Sequence, residues 1–155
     1  MAGHETPATR AARQAGIAFE IHEYEHDPSV ASYGLEAAQA LGLDPARVFK
    51  TLLVQRADQP TVCVLPVSAT LDLRALGKRT AMLDPQRAES LTGYVTGGIS
   101  PVGQRRRLPT LLDESAEAHD TIAVSAGRRG LEIELAPADL VALTGADVRR
   151  LTRDE

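Results

Sequence analysis

The chain has 155 residues, 43% apolar and 25% charged, with a formal net charge of −4; that is enough for one buried core and far from the composition of disordered chains. An acidic balance excludes wholesale wrapping of a nucleic-acid backbone, though not contact through one local basic patch. The start, MAGHETPATRAAR, has no signal-peptide core, no run approaches a membrane span, and the single cysteine, Cys63, cannot form an internal disulfide, so a reducing cytoplasm and no membrane contact are expected.

In chain order, Thr6-Pro7 predicts a helix start, with Thr6 as N-cap, Pro7 at the first helical position and Gly16 just past the end. Residues 17–24, IAFEIHEY, alternate apolar and polar and predict a half-buried strand. A second helix is expected from about Ser32 to Leu41, stopping at Gly42. After a short turn at Asp44-Pro45, FKTLLV (49–54) and TVCVLP (61–66) read as strands joined by a hairpin-like QRADQP. Asp84-Pro85 opens a capped helix ending near Gly93. LPTLLD (108–113), TIAVSAG (121–127) and LEIEL (131–135) are further strands; a helix over Pro137–Leu143 stops at Gly145, and VRRLT supplies a last short strand. Strands outnumber helices without alternating strictly with them. The expectation is therefore an α+β fold, one domain over 1–155, with a central mixed, barrel-like sheet flanked by helices.

Chemistry concentrates at a few positions. Lys50 lies within the apolar run VFKTLLV, where alternation puts it on a face with Val48, Leu52 and Val54. Such a lysine either snorkels to water or aims its ammonium into a pocket that holds an oxygen-rich ligand. In GGISPVGQRRRLP (97–109), Gly97 and Gly98 permit close backbone approach, and Pro101 stiffens the far end. That loop is either a plain turn or a set of N–H groups facing an anion. Arg105, Arg106 and Arg107 read as a solvated edge or as phosphate contacts. Tyr24 and Tyr33 bracket one loop in a chain with only five aromatics, as ordinary half-buried tyrosines or as a ligand wall.

No metal or other cofactor is expected. His22 and His26 lie four apart, about 13 Å along a strand, too far to share an ion. Cys63 reads as a small buried hydrophobe, and no nucleophile elbow or P-loop is present.

Taken together, IHEYEHDP (21–28), VFKTLLV (48–54), LDL (71–73), TGYVTGGISPVGQRRRLPTLLD (92–113) and VSAGRRGLEIELAPADL (124–140) resemble the YbaK/EbsC family. These are bacterial Cys-tRNA(Pro) deacylases related to the editing domain inserted in prolyl-tRNA synthetases. The likeness runs from about residue 6 to about residue 150, in the family's order. It implies a proofreading enzyme that cleaves the ester between cysteine and the terminal adenosine of mischarged proline tRNA, by attack of the substrate's own thiol. It implies the tRNA acceptor end as partner, with a prolyl-tRNA synthetase as a second one. Residue by residue, Lys50 resembles the family's essential lysine, with Thr51 beside it; Tyr24 and Tyr33 fall at pocket positions, Tyr33 in place of a common phenylalanine. Gly97, Gly98, Ile99, Ser100 and Pro101 match the loop that cradles the aminoacyl group. Ser125 matches a pocket serine, and Glu132 stands where some members have Asp. The alternatives are a deacylase for Ala-tRNA(Pro) or another mischarged tRNA, and a non-catalytic module that binds tRNA or a synthetase.

Overall fold

The structure, a computed structural model, describes residues 5–29 and 32–153. Among the described residues four α-helices form where the sequence supplies both a start and a stop. In α1 (Pro7–Gln14) the Thr6 hydroxyl accepts from Thr9 N–H at 3.1 Å while Thr9 Oγ1 accepts from Thr6 N–H at 2.9 Å, a reciprocal capping box. Ser32 caps α2 (Tyr33–Leu41), and Asp84 caps α3 (Pro85–Thr92). These two helices end at left-handed glycines, Gly42 and Gly93, and α4 (Pro137–Thr144) ends likewise at Gly145.

The strands are β1 (Phe19–Glu23), β2 (Phe49–Arg56), β3 (Gln59–Pro66), β4 (Thr80–Met82), β5 (Thr110–Asp113), β6 (Ile122–Arg128), β7 (Leu131–Leu135) and β8 (Asp147–Arg149). They make two sheets. One is antiparallel, ordered β1-β7-β6; the other is mixed, ordered β4-β2-β3-β5-β8, with β3/β5 and β5/β8 parallel. The α+β class and the mixed sheet are as expected. Barrel closure is partial: among the described residues the sheets are joined by the Val48–Ala123 bridge, with Ala123 N–H donating to the Arg47 carbonyl at 3.0 Å.

Several boundaries differ from the sequence reading. The β2–β3 hairpin turns in only two residues, with Ala57 left-handed at φ 54°. β5 begins after Pro109, which has no N–H to give a ladder. The final strand ends at Arg149, beyond which Thr152 makes an isolated bridge to Leu71. β4 was not expected, because Thr-Ala-Met carries little strand signal of its own and is ordered by pairing with Val54–Arg56 of β2.

β2 separates the packing. Phe49 and Leu53 join Val62 and Val64 of β3, Ile122 and Val124 of β6, and Leu131, Ile133 and Leu135 of β7 in the main core between the sheets. On its other face Val48 packs with Ala37 and Ala38 of α2, while Val54 packs with Cys63, Leu65, Leu71 and Leu76. Lys50 alternates onto that second face and is half-buried.

Candidate active site

A cavity of about 290 Å³ is lined by Lys50 and by main-core residues such as Phe49 and Leu53, and is walled by β2, the start of α2, β4 and α3, the loop after α3, and the strand pair β6–β7. Lys50 is half-buried, and its Nζ donates to the Ala69 carbonyl at 2.8 Å. Burial lowers its pKa from the ordinary lysine value. One hydrogen bond leaves two of the three ammonium protons for a ligand. Thr51, also on the cavity wall, has a hydroxyl oxygen shielded from solvent with no hydrogen-bond partner among the described residues. Functional sites retain such unpaired polar groups, at a cost of about 1–3 kcal/mol.

The glycine loop divides into a lining part and a supporting part. Gly97 and Ile99 line the cavity, and among the described residues their N–H groups donate to no protein acceptor. Gly97 is left-handed (φ 87°), and a Cβ there would come within 2.8 Å of the Tyr33 ring and 2.9 Å of Arg129 Nε. Gly98, Ser100 and Pro101 are not on the wall. The Gly98 N–H is spent on the Val95 carbonyl at 2.8 Å, and a Cβ on Gly98 would strike the Arg128–Arg129 backbone at 2.8 Å. Its glycine is thus required by close packing rather than by a positive φ. Ser100 is fully buried; its hydroxyl accepts from Val102 N–H and its carbonyl from Gln104, which shapes the turn.

Ser125 and Glu132 face each other across β6 and β7 in register. The Ser125 hydroxyl accepts from Gly127 N–H at 3.2 Å, leaving its own proton to donate. Glu132 is buried, and burial pushes its carboxyl up to about 8. It is therefore neutral at pH 7 and presents an O–H donor as well as an acceptor. Tyr24 is half-buried nearby, its hydroxyl raised to about 12 by burial and by the negative charge Glu132 would carry.

Tyr33, the first residue of α2, stands at the rim. Its ring meets the His26 imidazole at 5.6 Å and lies under the Arg129 guanidinium at 5.2 Å. His26 in turn sits 2.8 Å from Glu36 through Nδ1.

The arginine run lies elsewhere. Arg105 and Arg106 N–H groups donate to the Thr92 and Leu91 carbonyls, and Arg105 Nη1 reaches the Ser90 carbonyl at 3.3 Å, at the C-terminal turn of α3. Arg107 packs against Gly145, where α4 ends. Cations at helix C-termini offset the macrodipole and the last free carbonyls. None of the three lines the cavity.

Cys63 lies in the smaller core behind β2, where burial raises its thiol to about 11. The two histidines take separate carboxylates. His22 Nε2 is 2.7 Å from Glu134, whose other oxygen accepts from Arg47 and Thr121. Glu20, His22 and Glu134 come close enough to share an ion, but the guanidinium already neutralises Glu134 there.

Gly34, Thr96 and Arg129 are among the wall and rim residues that escaped the sequence reading. Gly34 carries a usable signal, since a glycine inside a helix costs stability unless backbone must approach closely; here a Cβ would lie 2.3 Å from Val67 Cγ1. Thr96 lacks one, being an ordinary loop residue. Arg129 follows Arg128 in a hairpin turn, where exposed charge is unremarkable.

Residues 27–143 match the family model described as an aminoacyl-tRNA editing domain. A protein of Enterococcus faecalis, named as the Cys-tRNA(Pro)/Cys-tRNA(Cys) deacylase EbsC, is 37% identical over 157 residues, which cover 97% of this chain and 95% of that protein. A solved structure described as a trans-editing enzyme for prolyl tRNA synthetase superposes with a TM-score of 0.82 at 27% identity, covering 97% and 99% of the two chains. A scaffold from a study of epitope backbone grafting matches with a TM-score of 0.84, also at 27% identity, over 96% of each chain. With its fold, its lysine-bearing cavity and these matches in agreement, the chain belongs to the aminoacyl-tRNA editing domain family.

Proposed function

We propose that the cavity receives the aminoacyl end of a mischarged tRNA and that the chain is a trans-editing deacylase whose substrate is Cys-tRNA(Pro). One observation carries the reading. The wall combines an ammonium, Lys50, with two unspent backbone donors, Gly97 and Ile99, and among the described lining residues it contains neither Cys nor His. That set stabilises a developing oxyanion while offering no conventionally activated nucleophile. A volume of about 290 Å³ is at the small end for ligand pockets and suits an aminoacyl group rather than a whole nucleotide.

In the reaction, the substrate thiol attacks the ester carbonyl carbon and the carbon–oxygen bond to the ribose breaks. The ribose oxygen takes up the proton the thiol gave up, and a thiolactone departs for hydrolysis by water. Lys50 and the loop N–H groups hold the carbonyl oxygen; the Ser125 hydroxyl and the neutral Glu132 carboxyl are placed to bind the α-amino group or the ribose hydroxyl. Gly98, Ser100 and Pro101 set the loop rather than touch substrate. Of the arginine run, Arg106 is the one proposed to meet a tRNA phosphate, since its neighbours serve helix ends.

The test is a side-by-side deacylation assay on tRNA(Pro) charged with cysteine, serine or alanine. Fast turnover of the cysteinyl ester alone is expected. Equal rates for all three would remove thiol assistance and the cysteine preference together, and stoichiometric binding without turnover would make the chain a binding module. A prolyl-tRNA synthetase is the protein partner implied, and repeating the assay with it present tests whether it narrows tRNA choice.

A further inference from the structure

Arg129 is held in an unusual way for an exposed arginine. Its Nε donates to the Thr96 carbonyl at 2.8 Å, and its guanidinium lies over the Tyr33 ring with Cζ 5.2 Å from the centroid. Gly97, on the cavity wall, is glycine partly because a side chain there would strike both Tyr33 and Arg129 Nε. The guanidinium is thus fixed against the loop that lines the cavity, at its mouth. Among the described residues its two Nη groups make no hydrogen bond and it joins no ion pair. The acid electrostatically coupled to it, Glu89, has its carboxylate engaged by the Thr96 N–H at 2.7 Å. Arg128 next to it is treated differently, pairing with Glu23 at 3.0 Å on the strand edge.

A stacked, pre-oriented guanidinium with both Nη groups open matches a phosphate oxygen pair in the way a flexible lysine does not. If the aminoacyl ester sits against Gly97, the ribose that carries it lies at the mouth, and the nearest negative charge on that nucleotide is its 5′ phosphodiester. We propose that Arg129 is a phosphate-binding residue of the site, gripping the phosphodiester immediately 5′ of the aminoacylated nucleoside. This rests on the deacylase reading above, and assigns the terminal phosphate to a residue on the rim rather than to the arginine run.

The test is equilibrium binding of a non-cleavable analogue, adenosine carrying cysteine through a 3′ amide, prepared with and without a 5′ phosphate. Wild-type protein should bind the phosphorylated form about tenfold or more tightly at low ionic strength, the scale of one charge-assisted contact. In Arg129→Ala that ratio should fall to about one, and in Arg129→Lys, which keeps the charge but loses the fork and much of the stacking, it should lie between. A ratio that is the same in all three proteins would overturn the proposal and leave Arg129 as a latch holding Tyr33 to the loop, with the deacylase reading intact. A wild-type ratio of one overturns it equally. If neither analogue binds wild-type protein, the substrate assignment fails and the proposal with it.

Discussion

Replacing Glu132 by Gln tests the burial of a carboxyl at the centre of the cavity wall. Glu132 lies opposite His22 of β1 and Ser125 of β6, and its folded value of about 8 stands above the ordinary 4.5 because burial disfavours the charged form. Below pH 4.5 both folded and unfolded chains hold the proton, and no stability is lost. As pH rises from there to about 8 the unfolded chain ionises while the folded one keeps its proton, so stability falls; above 8 the loss levels off. A gap of about 3.5 pH units, at about 1.4 kcal/mol each, sets a ceiling of roughly 5 kcal/mol. Between pH 5 and pH 7 the loss is about 2–3 kcal/mol. Glu132→Gln keeps the shape and a hydrogen-bond donor but cannot ionise, so its stability relative to wild type should improve by that amount over the same interval. Urea unfolding of both proteins at pH 5, 6, 7 and 8 measures it; in thermal melts the same change amounts to roughly 5–10 °C. Parallel stability–pH curves for the two proteins would show that Glu132 titrates as an ordinary surface carboxyl, and the argument for a neutral donor in the cavity would be lost.

Lys50→Ala should lower deacylation by roughly 100-fold or more, the effect of losing one transition-state donor, while circular dichroism shows the fold kept. Gly98→Val should abolish turnover through its 2.8 Å clash with the Arg128–Arg129 backbone, and a variant that stays folded and active would refute that packing. Cys63→Ala should cost about 1 kcal/mol in urea unfolding and leave the deacylation rate nearly unchanged; a folded but inactive variant would force an enzyme nucleophile back into consideration. Arg105→Ala and Arg107→Ala should each lose about 0.3–1 kcal/mol of stability from a helix end. The slope of tRNA binding against salt should change little for either, and a flattened slope would make them phosphate contacts after all.

Features that depend on a few neighbouring residues could be read from the chain directly. The starts at Thr6-Pro7, Ser32 and Asp84-Pro85 and the stops at Gly42, Gly93 and Gly145 were legible because a cap is a bond within one turn of chain. Lys50 stood out because an ammonium in an apolar strand is costly without a compensating partner. Of the residues the family pattern gathered, Tyr24, Tyr33, Thr51, Gly97, Ile99, Ser125 and Glu132 line one cavity, whereas Gly98, Ser100 and Pro101 do not.

Tertiary structure alone decided the rest. β4 exists because β2 offers it a ladder, not because Thr-Ala-Met favours a strand. Glu132 and Glu134 sit two residues apart on the same strand, yet one is neutralised by burial and the other is held ionised by hydrogen bonds from Thr121 and His22 and by the charge of Arg47. Arg128 and Arg129 are adjacent and chemically identical, and one pairs with Glu23 while the other is clamped over Tyr33 at the cavity mouth. Burial, charge pairing and access to a cavity are set by residues distant in the chain, and no local pattern contains them.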